Sequence, residues 1–331
     1  MKASLEAKCR LFIENRNLIR SGFGWESTYM YPLCAEIVTS KNQTADMDKM
    51  ERCKRLLKQE TGAFSNFRGM TRLVTITRLS MEEFPEDSLR RTLLIYDKLK
   101  GVFFTSTYLP MVAQVIAELA KEEEYDSIVE RTRRIYDLMK KKHPFLTSGE
   151  DSTFAALLAL AGLEEEAAVE ETERCYEILK REFYSGNSVQ SLSHVLTLGE
   201  GNAEDKCART VKLYQELKSR GHRYGRNQEL PTLGVLSMMD QDLGELAGTI
   251  CEVDGYLKHQ KGFGLFGVGE KQRLMYAGML TMSDCVDELS GMSLSMAAVN
   301  GAISLIVAQQ TAICAATAAS AAAASSSGSS D

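Results

Sequence analysis

Six stretches of the chain carry the same short helical signature at a nearly constant interval. IYDKLK (95–100), IYDLMK (135–140), CYEILK (175–180) and LYQELK (213–218) are the clear copies, flanked by the weaker CKRLLK (53–58) and VDGYLK (253–258). Their final lysines, Lys58, Lys100, Lys140, Lys180, Lys218 and Lys258, are spaced by 42, 40, 40, 38 and 40 residues. Such a period marks stacked supersecondary units, because one helical hairpin cannot hide its apolar face without a neighbour.

The copies agree in depth. One residue before each anchor lysine stands Leu57, Leu99, Met139, Leu179, Leu217 or Leu257, and five before stands Cys53, Ile95, Ile135, Cys175, Leu213 or Val253. The four clear copies add Tyr96, Tyr136, Tyr176 and Tyr214 four residues before, and Thr92, Thr132, Thr172 and Thr210 eight before. These offsets form one stripe on a helix of period 3.6. The spacing therefore predicts a first helix, A, whose -1 and -5 residues are buried and whose anchor lysines point to solvent near its end. The Thr and Tyr positions are read as packing and inter-repeat bonding, rather than as the lining of a groove.

An aromatic residue follows each anchor: Phe64, Phe104, Phe145, Tyr184, Tyr224 or Phe263. A second, more apolar segment comes next, as in YLPMVAQVIAELA (108–120), DSTFAALLALAG (151–162) and SVQSLSHVLTLG (188–199), and predicts a helix B. Asp151 or Ser152 is the expected cap of one such helix. Acidic loops lead back to the next A helix, with Glu164, Glu165 and Glu166 in one and Glu204 and Asp205 in another, where negative charge suits a helix start. At the N-terminus, residues 3–20 read as an A helix ending near Arg20, and WESTYMYPLCAEIV (25–38) parallels FTSTYLPMVAQVIA (104–117). About seven hairpins thus cover residues 1–282. The fold class is all-α, as an α-solenoid or a closed α/α toroid, and the period does not choose between them. The five prolines are few enough for so many helices.

Beyond 282 the character changes. Residues 283–319 are expected to be an apolar helical segment packed on the array, and 320–331 (SAAAASSSGSSD) a disordered Ala/Ser tail. The stretch 292–319 has no charged residue, and its length would suit a membrane span. Asn300, Gln309 and Gln310 interrupt it and basic flanks are missing, so a buried or interfacial helix is the preferred reading.

No catalytic residue can be assigned, and no cofactor or metal is expected. The eight cysteines (9, 34, 53, 175, 207, 251, 285 and 314) form no CxxC pair and read as reduced thiols of a cytoplasmic protein. His143, His222 and His259 fall in A-to-B turns and are expected to face solvent, while His194 falls within a B helix, in a core or interface role. The glycines of KGFGLFGVG (261–269) invite a nucleotide-loop reading, but nothing upstream reads as a strand, so a glycine-rich turn is preferred. Basic groups such as Arg131, Arg133 and Arg134 lie among glutamates, and the net charge of -6 argues against a nucleic-acid binder.

The IYDxLK-like helices and SLIVAQQTA (304–312) resemble a family of uncharacterised proteins of Bacillus-like Gram-positive bacteria, over about residues 1–315. The resemblance implies an all-helical fold and brings no activity, substrate or site residue with it. Two functions stay open: a protein that binds or scaffolds a protein partner, as repeat arrays do through their long surfaces, and an enzyme with its site in the concavity of a toroid.

Overall fold

The computed structural model describes residues 1–290 apart from Trp25, Met70, Ser185, Leu265 and Phe266. The expectations for 292–319 and 320–331 lie outside the described residues. Fourteen α-helices are present among those described, and they alternate as A and B helices of seven hairpins. These are α1 (Ala3–Gly22) with α2 (Met30–Thr39), α3 (Met47–Glu60) with α4 (Arg72–Met81), α5 (Pro85–Val102) with α6 (Leu109–Leu119), and α7 (Tyr125–Lys142) with α8 (Asp151–Leu160). There follow α9 (Glu165–Leu179) with α10 (Gly186–Thr197), α11 (Ala203–Ser219) with α12 (Leu230–Ser237), and α13 (Leu243–Lys258) with α14 (Glu270–Ser290).

Each odd helix packs on the next odd helix and each even helix on the next even one; α13 also packs on α1, and α14 on α1 and α2. The two rows differ in amphipathicity. On α7, Ile128, Val129, Thr132, Ile135 and Met139 are buried while Lys140, Lys141 and Lys142 are exposed. Every residue of α2 and of α12 is buried, as are all those of α8 except Leu160. A helix apolar around its whole circumference must be covered on all sides. The even helices therefore form the interior row.

The repeated stripe lies where its spacing predicts. Ile95, Ile135, Cys175 and Leu213 are fully buried, as are Leu99, Met139, Leu179 and Leu217. The anchors Lys58, Lys100, Lys140, Lys180, Lys218 and Lys258 are exposed. The threonines are buried and return their hydroxyls to their own helix, Thr132 to Ile128 O at 2.7 Å and Thr210 to Lys206 O at 2.9 Å. Two of them also meet the paired even helix, Thr172 with Thr197 at 2.9 Å and Thr210 with Ser237 at 2.7 Å. Asp151 opens α8 but does not cap its first amides. Its Oδ2 instead accepts from the preceding Ser148 amide at 2.7 Å, so the carboxylate ties down the loop. Glu164 does cap α9, accepting from Ala167 N at 2.7 Å, and Asn202 caps α11, accepting from Asp205 N at 2.8 Å.

One contact recurs at all seven seams between hairpins. The residue four before the anchor of each odd helix meets a loop residue of the preceding hairpin. Tyr96 meets Phe67, Tyr136 meets Phe103 and Tyr214 meets Phe183 edge-to-face, with ring centres 4.9, 5.3 and 5.3 Å apart. Tyr176 meets His143 at 4.5 Å. Lys54 lies 5.3 Å from the centre of the Phe23 ring, and Asp254 Oδ2 lies 3.1 Å from His222 Nδ1. At the last seam the first hairpin meets the last described one: the guanidinium of Arg16, on α1, lies 5.2 Å from the ring of Phe263, in the loop after α13. An aromatic pair of this kind adds about 0.5–1.5 kcal/mol beyond its buried area. The chemistry at this position varies while the place does not.

Polar contacts continue that last seam. Lys8 Nζ reaches Asp287 Oδ2 at 2.6 Å and Ser283 Oγ at 2.8 Å, and Lys2 reaches Glu288 at 2.8 Å. Arg16 Nη1 donates to Lys261 O at 3.0 Å. Gly262 makes room for this guanidinium: its φ is +91°, and a Cβ there would lie 2.0 Å from Arg16 Nη2. Gly262, Gly264 and Gly267 do spell G-x-G-x-x-G, but the run follows helix α13 instead of a strand and is occupied by this seam.

Candidate functional site

The seven-fold contact gathers the A-to-B loops at one end of the molecule, since each loop rests on the last turns of the next odd helix. Four aromatic side chains project from these loops into solvent. Phe64, Phe104, Phe145 and Tyr184, on the second to fifth hairpins, are 103, 96, 98 and 86 % exposed. Each lies within three residues of a seam residue, either buried Phe67, Phe103 or Phe183 or half-buried His143. The backbone under each exposed ring is thereby held by a packed neighbour. Phe103 shows how: at φ -120° and ψ 151° its backbone is extended, so it and Phe104 point to opposite sides. Folding leaves these rings without apolar cover.

The same end is basic. Exposed Lys58, Lys100, Lys140, Lys141, Lys142, Lys180 and Arg181 stand among or beside the four rings, against exposed Glu60, Asp97, Asp137 and Glu182. The opposite end carries the acidic starts of the odd helices, with Glu86, Asp87, Glu122, Glu123, Glu124, Asp126, Glu204 and Asp205 exposed. Helix dipoles favour this arrangement on each odd helix, and their shared direction adds the effects up. Beyond Tyr184 this end meets a groove of about 470 Å³ between α9 and α11, floored by Ile178, Cys207, Ala208 and Val211 and edged by Arg181, Glu182, Glu204 and Lys212.

A second cluster lies inside, on α6, α8 and α10. His194 is 1 % exposed and stacks on Phe154, with neither ring nitrogen hydrogen-bonded; its Nε2 is 3.5 Å from Asp151 Oδ1. Burial, then the Asp151 charge, pushes the Glu150 carboxyl up to about 7. Burial followed by the charges of Glu150 and Asp151 pushes the Tyr108 phenol up to about 12. His194 thus has the core position its place in a B helix predicts. The other histidines divide. His259 is exposed, but His143 and His222 are half-buried against Tyr176 and Asp254, and His143 Nε2 also meets Glu173 at 2.9 Å. The expectation that both face solvent is corrected: they occupy the loop side of the inter-hairpin contact.

Glu36, on α2, is another buried carboxyl. Burial pushes it up to about 8 against the opposing pull of Lys8 and Arg78. A carboxyl raised in the folded state is ionised more easily when unfolded, so its contribution turns unfavourable as pH rises through the unfolded value of about 4.5 towards about 8. Urea unfolding of wild type is expected to show a loss of stability over that interval, and Glu36→Gln to reduce it. An unchanged pH profile in Glu36→Gln would assign the dependence elsewhere.

The seven described cysteines form no disulfide among the described residues, and five of them are buried. Among the described residues no group of three or more His, Cys, Asp or Glu could hold a metal ion, and no helix is long and apolar enough to cross a membrane.

An all-helical protein of successive hairpins, with one aromatic and basic end, is the class these observations define. The chain belongs to the family described as "Protein of unknown function (DUF4003)", which matches residues 15–312. It is 22 % identical over 213 residues to the "Uncharacterized protein YeaA" of Bacillus subtilis (strain 168), covering 62 % of this chain and 63 % of that relative. The chain therefore spans somewhat under two thirds of that relative's length. No solved structure matches.

Proposed function

We propose that the protein is a binding scaffold: an α/α toroid of seven hairpins whose A-to-B end docks a protein partner. Support for closure comes from the packing of α13 and α14 back onto α1, at the same helix position used by every other seam. The single observation that carries the binding reading is the set of rings at Phe64, Phe104, Phe145 and Tyr184, which fold stability does not require. Reduced thiols on five hairpins fit a cytoplasmic setting. The enzyme alternative rests on the cluster of Tyr108, Glu150, Asp151 and His194. It carries less, because Asp151 and His194 are 4 and 1 % exposed, which leaves a substrate little access to them.

A photo-crosslinking residue placed at Phe104 is expected to trap a discrete protein in the native host. The same residue at Phe84, which is exposed at the opposite end, should not. Changing Phe64, Phe145 and Tyr184 to serine should abolish the Phe104 adduct and leave the circular dichroism spectrum and thermal midpoint unaltered. Equal protein adducts from both positions, or lipid adducts alone at Phe104, would overturn the reading.

A further inference from the structure

We infer that the partner presents an acidic amphipathic helix to the A-to-B end. This inference rests on the docking reading above and adds the chemistry of what docks. Two features of the surface point to it, and the first is charge. The four aromatic-bearing loops stand among exposed Lys58, Lys100, Lys140, Lys141, Lys142 and Lys180. Some of these lysines are partly satisfied within the fold. Lys100 pairs with Asp97 at 2.7 Å, Lys180 with Glu177, and Lys140 donates to Thr147 O at 2.7 Å. Lys141, Lys142 and Arg181 have no ion-pair partner among the described residues and flank Phe145 and Tyr184. A chain with net charge -6 that gathers its cations around its exposed rings attracts an acidic ligand to that end and repels a basic one.

The second feature is spacing. Packed helices lie about 8–10 Å apart, so loops on successive odd helices recur at about that interval. Seven residues of α-helix advance about 10.5 Å. An amphipathic helix whose apolar residues recur every heptad therefore brings one apolar contact to each of two neighbouring rings. Four successive loops of a closed ring follow an arc, so a straight helix of about 20 residues, roughly 30 Å long, engages neighbouring rings and not all four at once. The groove beyond Tyr184, with its apolar floor and an edge of mixed charge (Arg181 and Lys212 with Glu182 and Glu204), offers the last apolar side chain a seat.

The test uses the full chain and three labelled synthetic peptides of about 20 residues with leucine and phenylalanine on one helical face. They differ only on the polar face, which is glutamate, glutamine or lysine. Fluorescence anisotropy is expected to show the glutamate peptide bound at least about tenfold more tightly than the lysine peptide, with affinity falling from about 0.05 to about 0.5 M salt. Two variants separate the inference from the reading beneath it. Combined Phe64→Ser, Phe104→Ser, Phe145→Ser and Tyr184→Ser should abolish binding of every peptide. Combined Lys141→Glu, Lys142→Glu and Arg181→Glu should weaken only the glutamate peptide, by about tenfold, with the thermal midpoint unmoved. If all three peptides bind equally and the serine variant still loses them, the acidic chemistry is wrong and the docking end stands. If no peptide binds, or the serine variant binds as wild type, both are overturned. Vesicles of phosphatidylglycerol serve as the remaining arm; retention on them without peptide binding would replace the protein helix by a lipid surface.

Discussion

Phe12→Ala is expected to lower the free energy of unfolding by about 3–5 kcal/mol, the range for emptying a buried phenylalanine site. The side chain is fully buried on α1, with its ring centre 5.9 Å from that of Phe263 and 5.7 Å from that of Tyr276. Those two residues belong to the last described hairpin, more than 250 positions along the chain, so the cavity would open where the first and last described hairpins meet. Phe104→Ala, which removes a ring of the same size from solvent, should cost less than about 0.5 kcal/mol. Urea unfolding of both variants measures the contrast. A double-mutant cycle with Phe263→Ala then isolates the seam, and a coupling of about 0.5–3 kcal/mol is expected for rings in contact. A coupling near zero would mean that Phe12 stabilises its own hairpin alone and that the ends of the array do not support each other.

The repeat and its buried stripe were legible because both are local. Positions -1 and -5 lie on one face of a single helix, and Leu179 or Leu217 is buried by the period alone, whatever lies opposite. The seam contact was half legible. Tyr96, Tyr136, Tyr176 and Tyr214 stand out as a column, but their partners lie 29–33 residues upstream on another hairpin. Choosing an aromatic by its distance from the anchor selects Phe64, Phe104, Phe145 and Tyr184, the outward rings, and passes over inward Phe67, Phe103 and Phe183. In an extended loop one position of offset reverses the side of the chain, and spacing alone does not carry that sign. The same choice succeeds for Tyr224 and Phe263, which are buried. The end bearing the exposed rings was therefore visible as a list of aromatics and lysines, but not as a surface.

Arg16 and Asp254 lay further from view, since the tyrosine column breaks at both. Their roles follow only once α13 and α14 are seen against α1 and against the loop after α11. The contact of α13 and α14 with α1 depends on the small rotation between successive hairpins, which accumulates over the array and leaves no mark in any one repeat.

Asp254→Ala is expected to cost about 3–5 kcal/mol, as breaking one side of a buried ion pair does, because a charge is left without compensation in a medium that solvates it poorly. Asp254 is 2 % exposed and takes a bidentate grip from Arg273, with Nε to Oδ1 at 2.7 Å and Nη2 to Oδ2 at 3.1 Å. Its Oδ2 also receives His222 Nδ1 at 3.1 Å, so one carboxylate joins the loop after α11, helix α13 and helix α14. The other odd helices hold the preceding loop with a ring or a cation at this position; here a carboxylate does so and recruits an arginine from the interior row. The loss should therefore come from stranded Arg273 as much as from the missing contact. Combined Asp254→Leu and Arg273→Met removes both charges while keeping most of the volume, and it should recover the greater part of the loss, since a buried pair replaced by apolar groups is often neutral. Urea midpoints of wild type, Asp254→Ala and the double variant decide it. A double variant as unstable as Asp254→Ala would move the energetic weight from the stranded guanidinium to His222, leaving the carboxylate needed mainly as the acceptor that holds the loop.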